Sequence, residues 1–103
     1  MDPRPKRDFI NVSDVINAIG LSIEYHPDKL EVFNLGSGIS ISVDELARSI
    51  IALSKNKPEL IFSNEYRQNE VLDTVADISK IKTKLKWTPK IDLSTGLSAI
   101  IND

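Results

Sequence analysis

The sequence has no cysteine and a single histidine. The first absence excludes disulfides and thiolate chemistry, and it fits a reducing, cytoplasmic compartment. The second leaves His26, in "EYHPDK", without the partners a structural zinc site needs, so it reads as a surface residue near a helix end. No apolar run is long enough to cross a bilayer, and the first dozen residues hold no apolar stretch of the kind a secretory signal carries. The formal net charge is only −2, which argues against a broad surface for tracking nucleic-acid phosphates. Aromatic residues are scarce and do not accompany the lysine-rich stretch from Ile78 to Lys86, so no stacking platform is expected there. Repeats and low-complexity tracts are also missing. A soluble chain with neither nucleic acid nor membrane as a partner is the expectation.

What is present suits one small domain, residues 1–103. An apolar share of 41% with 27% charged residues is that of a folded protein. A chain of this length buries roughly 60 to 68% of its unfolded surface, which leaves little stability in reserve. After a proline-bearing lead-in, "MDPRPK", the segment "DFINV" predicts a short strand. Ser13 is placed to cap the following helix, with Asp14 near its positive end. Val15, Ile19 and Ile23, flanked by Ile16 and Ala18, give that helix a wide apolar stripe, and Pro27 stops it. "EVFNLGSG" predicts a second strand closed by a glycine turn. Ser42 and Glu45 then form the Ser-x-x-Glu capping box of a helix whose buried face is expected to be Leu46, Ala47, Ile50, Ile51 and Leu53. "LIFS" and "VLDTVAD" are candidate short strands on either side of the polar loop "NEYRQNE". Asp77 caps a helix carrying Ile78, Ile81 and Leu85, Trp87 anchors the turn "WTPKIDL", and "STGLSAIIND" closes the chain as a helix. Strand, helix, strand, helix, then short strands and two C-terminal helices make a small, partial α/β domain.

Three stretches in this order, "RDFINVSDVINAI", "EVFNLGSGISISVDELARSI" and "YRQNEVLDTVADISKIKTKLKWTPKIDLSTGL", resemble the C-terminal third of NAD-dependent nucleotide-sugar epimerases and dehydratases. These are extended short-chain dehydrogenase/reductase enzymes, and the likeness runs from about Arg7 to Leu97. It implies that Arg7, opening its strand, lies by the diphosphate of a nucleotide sugar. It implies that Arg67 grips the same phosphates and that Glu70 reaches the ribose. A guanidinium presents a planar fork of donors that matches phosphate oxygens two at a time, so two forks from separate segments can fix a pyrophosphate. The chain departs from the family at Asn11, where histidine is usual, at Gln68 and Asn69, where Pro-Gly is usual, and at Glu70, where aspartate is commoner. The last three changes bear on the turn geometry of the loop.

The family's dinucleotide-binding portion, with its Gly-x-x-Gly-x-x-Gly, is not found in the sequence. "GSG" at Gly36–Gly38 reads as a tight turn and not as a phosphate cradle. Tyr25 and Lys29 have the spacing of the family's Tyr-x-x-x-Lys pair, but Pro27 between them breaks the helix that would align the two side chains. No catalytic, metal or cofactor residue is therefore assigned; NAD is implied for a complete enzyme alone. The lead-in resembles the loop that joins the two parts of such an enzyme, so an expressed fragment or a truncated reading frame is expected. Two arginine sites worth roughly 1.5 to 3 kcal/mol each, less the entropy of association, predict millimolar or weaker affinity for a nucleotide sugar. The rival expectation, from another functional class, is a stand-alone, non-enzymatic α/β interaction module that self-associates, as a homodimer, through exposed apolar surface.

Overall fold

Two prolines shape the entry to the fold. In the computed structural model, which describes residues 3–62 and 71–102, the carbonyls of Pro3 and Pro5 accept from the amides of Asp44 and Val43. These are first-turn amides of a helix, which have no partner of their own within it. The lead-in is thereby tied across to the middle of the chain. It continues into strand β1 (Lys6–Asp8), helix α1 (Val12–Glu24), strand β2 (Ser40–Ser42), helix α2 (Val43–Leu53), helix α3 (Ser79–Leu85) and helix α4 (Leu93–Ile101).

β1 and β2 run antiparallel, with Lys6 opposite Ser42, Arg7 opposite Ile41 and Asp8 opposite Ser40. Lys6 also pairs in parallel with Asp73: its amide donates to the Leu72 carbonyl at 2.6 Å, and its carbonyl accepts from Thr74 N at 3.0 Å. β1 is thus held on both edges, and the expectation that "VLDTVAD" pairs with a neighbour is met at that point. Other strand expectations are corrected. "DFINV" contributes only Asp8 to β1, because helix α1 already begins at Val12. Glu31–Leu35 forms no strand among the described residues, although burial alternates along it as in a strand, with Glu31, Phe33 and Leu35 half-buried and Val32 and Asn34 exposed. A strand needs a hydrogen-bonded neighbour strand, and this segment has none among the described residues. Leu60–Phe62 of "LIFS" is likewise not a strand.

The helix ends follow local chemistry closely. α1 is capped by Asn11, whose Oδ1 accepts from Ser13 N at 2.8 Å, so the cap lies two residues before the expected Ser13. α2 carries the full capping box: Ser42 Oγ accepts from Glu45 N at 3.1 Å, and Glu45 accepts from Ser42 N at 3.4 Å. At the other end of α2, Lys57 Nζ donates to the Ala52 and Ile51 carbonyls, the charge a helix C-terminus favours. Asp77 accepts from both the amide and the hydroxyl of Ser79, and Asp92 caps α4 through Thr95 N at 2.7 Å.

The core is small. It consists of Ala18, Ile78, Ile81, Leu85 and Trp87, with Ile10, Tyr25, Phe33, Leu35 and Ala76 packed around it. The stripe expected to bury α1 is corrected in part: Ile16, Ile19 and Ile23 are exposed and Val15 is half-buried, while Ala18 is buried as expected, together with Asp14. No residue of α2 is buried, so its expected buried face is only half covered. The molecule is a slab of 52 × 36 × 15 Å with a radius of gyration of 16.6 Å, against about 13 Å for a compact chain of this length. Among the described residues, no helix is long and apolar enough to cross a membrane.

Candidate functional site

Arg7 and Asp8, adjacent on β1, organise the edge where the sequence places its candidate site. Alternation along a strand sends neighbouring side chains to opposite faces, and these two reach different partners. The Arg7 guanidinium donates through Nη1 to the Val71 carbonyl at 2.6 Å and to the Lys6 carbonyl at 2.8 Å. Val71 is next in sequence to Glu70. Arg67 and Glu70 themselves lie outside the described residues.

The sequence did not single out Asp8 as a site residue. Its carboxylate accepts from Ser37 N at 2.8 Å, Ser37 Oγ at 2.5 Å, Gly38 N at 2.9 Å and Ala76 N at 3.2 Å. Burial acts to raise its pKa, but the Ser37 hydroxyl and the three backbone amides outweigh it and hold the group below its ordinary value. One side chain thereby fastens β1 to the glycine turn and to the segment leading into α3. No local pattern could have revealed this, because its partners are 29 to 68 residues away.

The same geometry decides what the glycine turn can hold. The Ser37 and Gly38 amides, the groups a bound phosphate would need, are already given to the protein's own carboxylate. A Cβ on Gly36 would stand 2.6 Å from Asp8 Oδ2 and 2.7 Å from the Ala76 Cβ, so that glycine is required by the packing of Asp8. Gly38 has φ of 80°, the left-handed region that favours glycine. "GSG" is a structural turn and does not fit the pyrophosphate of a dinucleotide.

Tyr25 is the C-cap residue of α1, and its hydroxyl donates to Glu31 Oε1 at 3.2 Å. Burial, and then the Glu31 carboxylate, push its phenol up. A proton-transfer tyrosine is activated in the opposite direction. Its ring meets Phe33 edge-on at 5.9 Å, and Lys80 sits over the other aromatic partner, 4.9 Å from the Phe33 centroid, while donating to the Val32 carbonyl. Lys80 thus touches this cluster while remaining exposed, and Lys82, Lys84 and Lys86 are exposed as well, as expected of a solvated lysine face. His26 is exposed, and no group of metal-ligating side chains occurs among the described residues.

A second carboxylate, Asp14, joins the ends of the chain. It is 1% exposed and accepts from Lys90 N at 3.0 Å and Ile91 N at 3.1 Å, while its backbone carbonyl accepts from Trp87 Nε1 at 3.0 Å. Trp87, 2% exposed, is the anchor the sequence suggested. The expected dipole role of Asp14 understates it, since the side chain holds the whole Trp87–Ile91 turn against α1.

Comparison with known proteins agrees with this architecture. Residues 2–100 match the sequence model described as GDP-mannose 4,6 dehydratase. A dTDP-L-rhamnose 4-epimerase from Burkholderia thailandensis is 31% identical over 99 residues, which is 96% of this chain and 27% of that protein. The crystal structure of a Thermotoga maritima UDP-glucose 4-epimerase with UDP-glucose superposes with a TM-score of 0.87 at 30% identity, covering 99% of this chain and 32% of that one. MoeE5 in complex with UDP-glucose and NAD gives the same TM-score at 29% identity, over 98% of this chain and 33% of its own. The chain thus spans about a third or less of the proteins it matches, and its α/β arrangement is that of the C-terminal part of extended short-chain dehydrogenase/reductase epimerases. With almost its full length matched, the chain belongs to the GDP-mannose 4,6 dehydratase family of nucleotide-sugar epimerases and dehydratases.

Proposed function

We propose that this chain is the nucleotide-sugar-binding portion of an NAD-dependent, UDP-glucose 4-epimerase-like enzyme, with the dinucleotide-binding portion outside these 103 residues. Arg7 and Arg67 would hold the substrate diphosphate, and Glu70 the ribose. The observation that carries this reading is the bond from Arg7 to the Val71 carbonyl. It ties the first arginine to the point where the loop bearing the second one rejoins the described chain. Arg67 lies four positions before Val71, a reach of at most about 14 Å, so the covalent chain limits how far apart the two guanidinium groups can lie. The ligands named for the two structural neighbours, UDP-glucose in both and NAD in one, support the substrate class and the cofactor of a complete enzyme.

The chain alone is not proposed to catalyse. Its glycine turn is filled by Asp8, and Tyr25 is committed to Glu31. Proton-detected NMR titration of the full chain with UDP-glucose is the test. Millimolar or weaker binding is expected, with shifts concentrated on Lys6–Asp8 and on residues 71–74, and Arg7→Ala abolishes them. Micromolar binding overturns the affinity estimate. Shifts that persist unchanged in Arg7→Ala overturn the assignment of Arg7 to the phosphates.

A further inference from the structure

Arg7 and Asp8 hold opposite ends of one segment. Arg7 Nη1 donates to the Val71 carbonyl, and the Asp8 carboxylate accepts from Ala76 N. Between these points the main chain pairs with Lys6, through Lys6 N to the Leu72 carbonyl and Thr74 N to the Lys6 carbonyl. A parallel ladder repeats this pattern at every second residue, which would pass the Ala76 amide to the Asp8 carbonyl. It goes to the Asp8 side chain instead, at 3.2 Å. From the β2 side, the same carboxylate takes the Ser37 and Gly38 amides and the Ser37 hydroxyl. The glycine turn and residues 71–76 are thereby gathered on one carboxylate, across the strand from the Arg7 side chain.

Two consequences bear on an arginine that meets an anion. A carboxylate one residue from a guanidinium is ordinarily a competitor for it against phosphate. Here four donors occupy that carboxylate on the far face of the strand, so its charge is answered within the protein. The guanidinium plane is also set in advance. Nη1 donates to the Val71 carbonyl at 2.6 Å and to the Lys6 carbonyl at 2.8 Å, and both carbonyls stand where the pairing of β1 puts them. A group already held in its binding orientation loses less entropy when the ligand arrives. We infer that Asp8 is a positioning residue: it fixes β1 against the 71–76 segment and the glycine turn, and so presents the Arg7 guanidinium preformed to a substrate diphosphate. This rests on the reading of Arg7 as a phosphate ligand.

NMR of the arginine Nε–H groups in the full chain, before and during titration with UDP-glucose, tests the positioning and the binding separately. Arg7→Lys identifies the Arg7 signal by removing it. In the wild type that signal should relax like the backbone, whereas Arg48, whose Nε donates to Asp44 in an exposed pair within α2, is mobile. In Asp8→Asn the Arg7 signal becomes as mobile as that of Arg48. The initial slope of the UDP-glucose shifts at Lys6–Asp8 falls about tenfold, the loss of one charge-assisted hydrogen bond. Asp14→Ala, which removes a buried acceptor of two other amides, leaves both readings unchanged. The inference is overturned if Arg7 is mobile in the wild type, if either reading in Asp8→Asn stays at its wild-type value, or if Asp14→Ala loosens Arg7 equally. Where Asp8→Asn loses its Trp87 fluorescence transition, Ser37→Ala takes its place. That variant deletes the hydroxyl's bond alone, so a smaller change in the same direction is expected, and no change overturns the inference. A wild type that does not respond to UDP-glucose overturns the phosphate reading of Arg7 and the diphosphate half of this inference with it. The Arg7 signal in Asp8→Asn then still decides whether Asp8 fixes the guanidinium.

Discussion

Around Trp87, side chains from α1, α3 and the turn before α4 close over one another, and Asp14 matches its carboxylate to the Lys90 and Ile91 amides and its carbonyl to Trp87 Nε1. Between α2 and α4 no residue except Gly96 is buried, and the helix ends carry the ordering instead. The first region is held by packing that spans the sequence; the second is held mostly by caps whose partners are a few residues apart, with the Pro3 and Pro5 carbonyls on α2 the long-range exception. Long-range burial supplies most of the free energy of a small fold, whereas a cap contributes about 0.5–2 kcal/mol and acts locally. The contrast teaches that the two parts should fail differently.

Trp87→Ala should break the comparison most severely. Removing a buried tryptophan costs about 3–5 kcal/mol, a large share of what a domain this small has available. Loss of a cooperative urea transition, followed by near-ultraviolet circular dichroism, is expected. Asp14→Ala comes next. It leaves the Lys90 and Ile91 amides without acceptors, at about 1–3 kcal/mol, and a lowered urea midpoint with an unchanged slope is the reading that supports it. Gly36→Ala should cost a similar or slightly smaller amount, about 1–3 kcal/mol, because the added methyl drives into Asp8 and Ala76. Combining it with Asp8→Ala should recover part of that loss; no recovery would separate the turn from the carboxylate. On the other side, Ser42→Ala removes the capping box for about 1 kcal/mol. Its effect should appear as faster amide exchange in the first turn of α2 and leave Trp87 fluorescence unchanged.

Acid gives the smallest and most graded perturbation. Asp8, Asp77 and Asp92 all lie below their ordinary value of 3.8. A depressed carboxylate contributes stability that is complete above its unfolded value and is lost as pH falls through its folded one. The melting temperature should therefore be level near neutrality and decline below about pH 4. Asp8→Asn should flatten that decline, although the variant starts from a lower plateau.

How much of this was legible depends on how far apart the causes lie. The Ser42–Glu45 box, the stop at Pro27 and the anchoring of Trp87 were readable, because a cap or a breaker acts within one helical turn. The cap of α1 was misplaced by two residues because Asn11 and Ser13 are both good acceptors and the pattern alone does not rank them. The apolar period of α1 was visible but not its orientation: with apolar residues on opposite sides, the sequence does not say which side the rest of the chain occupies. Glu31–Leu35 has the alternation of a strand and lacks the neighbour that makes one. Asp8 and Asp14 looked like ordinary acidic residues because their partners are remote in the chain. Of the candidate site, Arg7 was placed at a strand that exists, and Arg67 and Glu70 fall outside the described residues.

The fit of Gly36 beneath Asp8 constrains how this protein can diverge. Neither position can vary alone: a larger residue at 36 requires a shorter one at 8 or an opened turn, and a shorter residue at 8 strands the amides of Ser37 and Gly38. Mutational paths through this corner must therefore take paired steps, and the neighbouring arginine inherits the resulting rigidity without contributing to it.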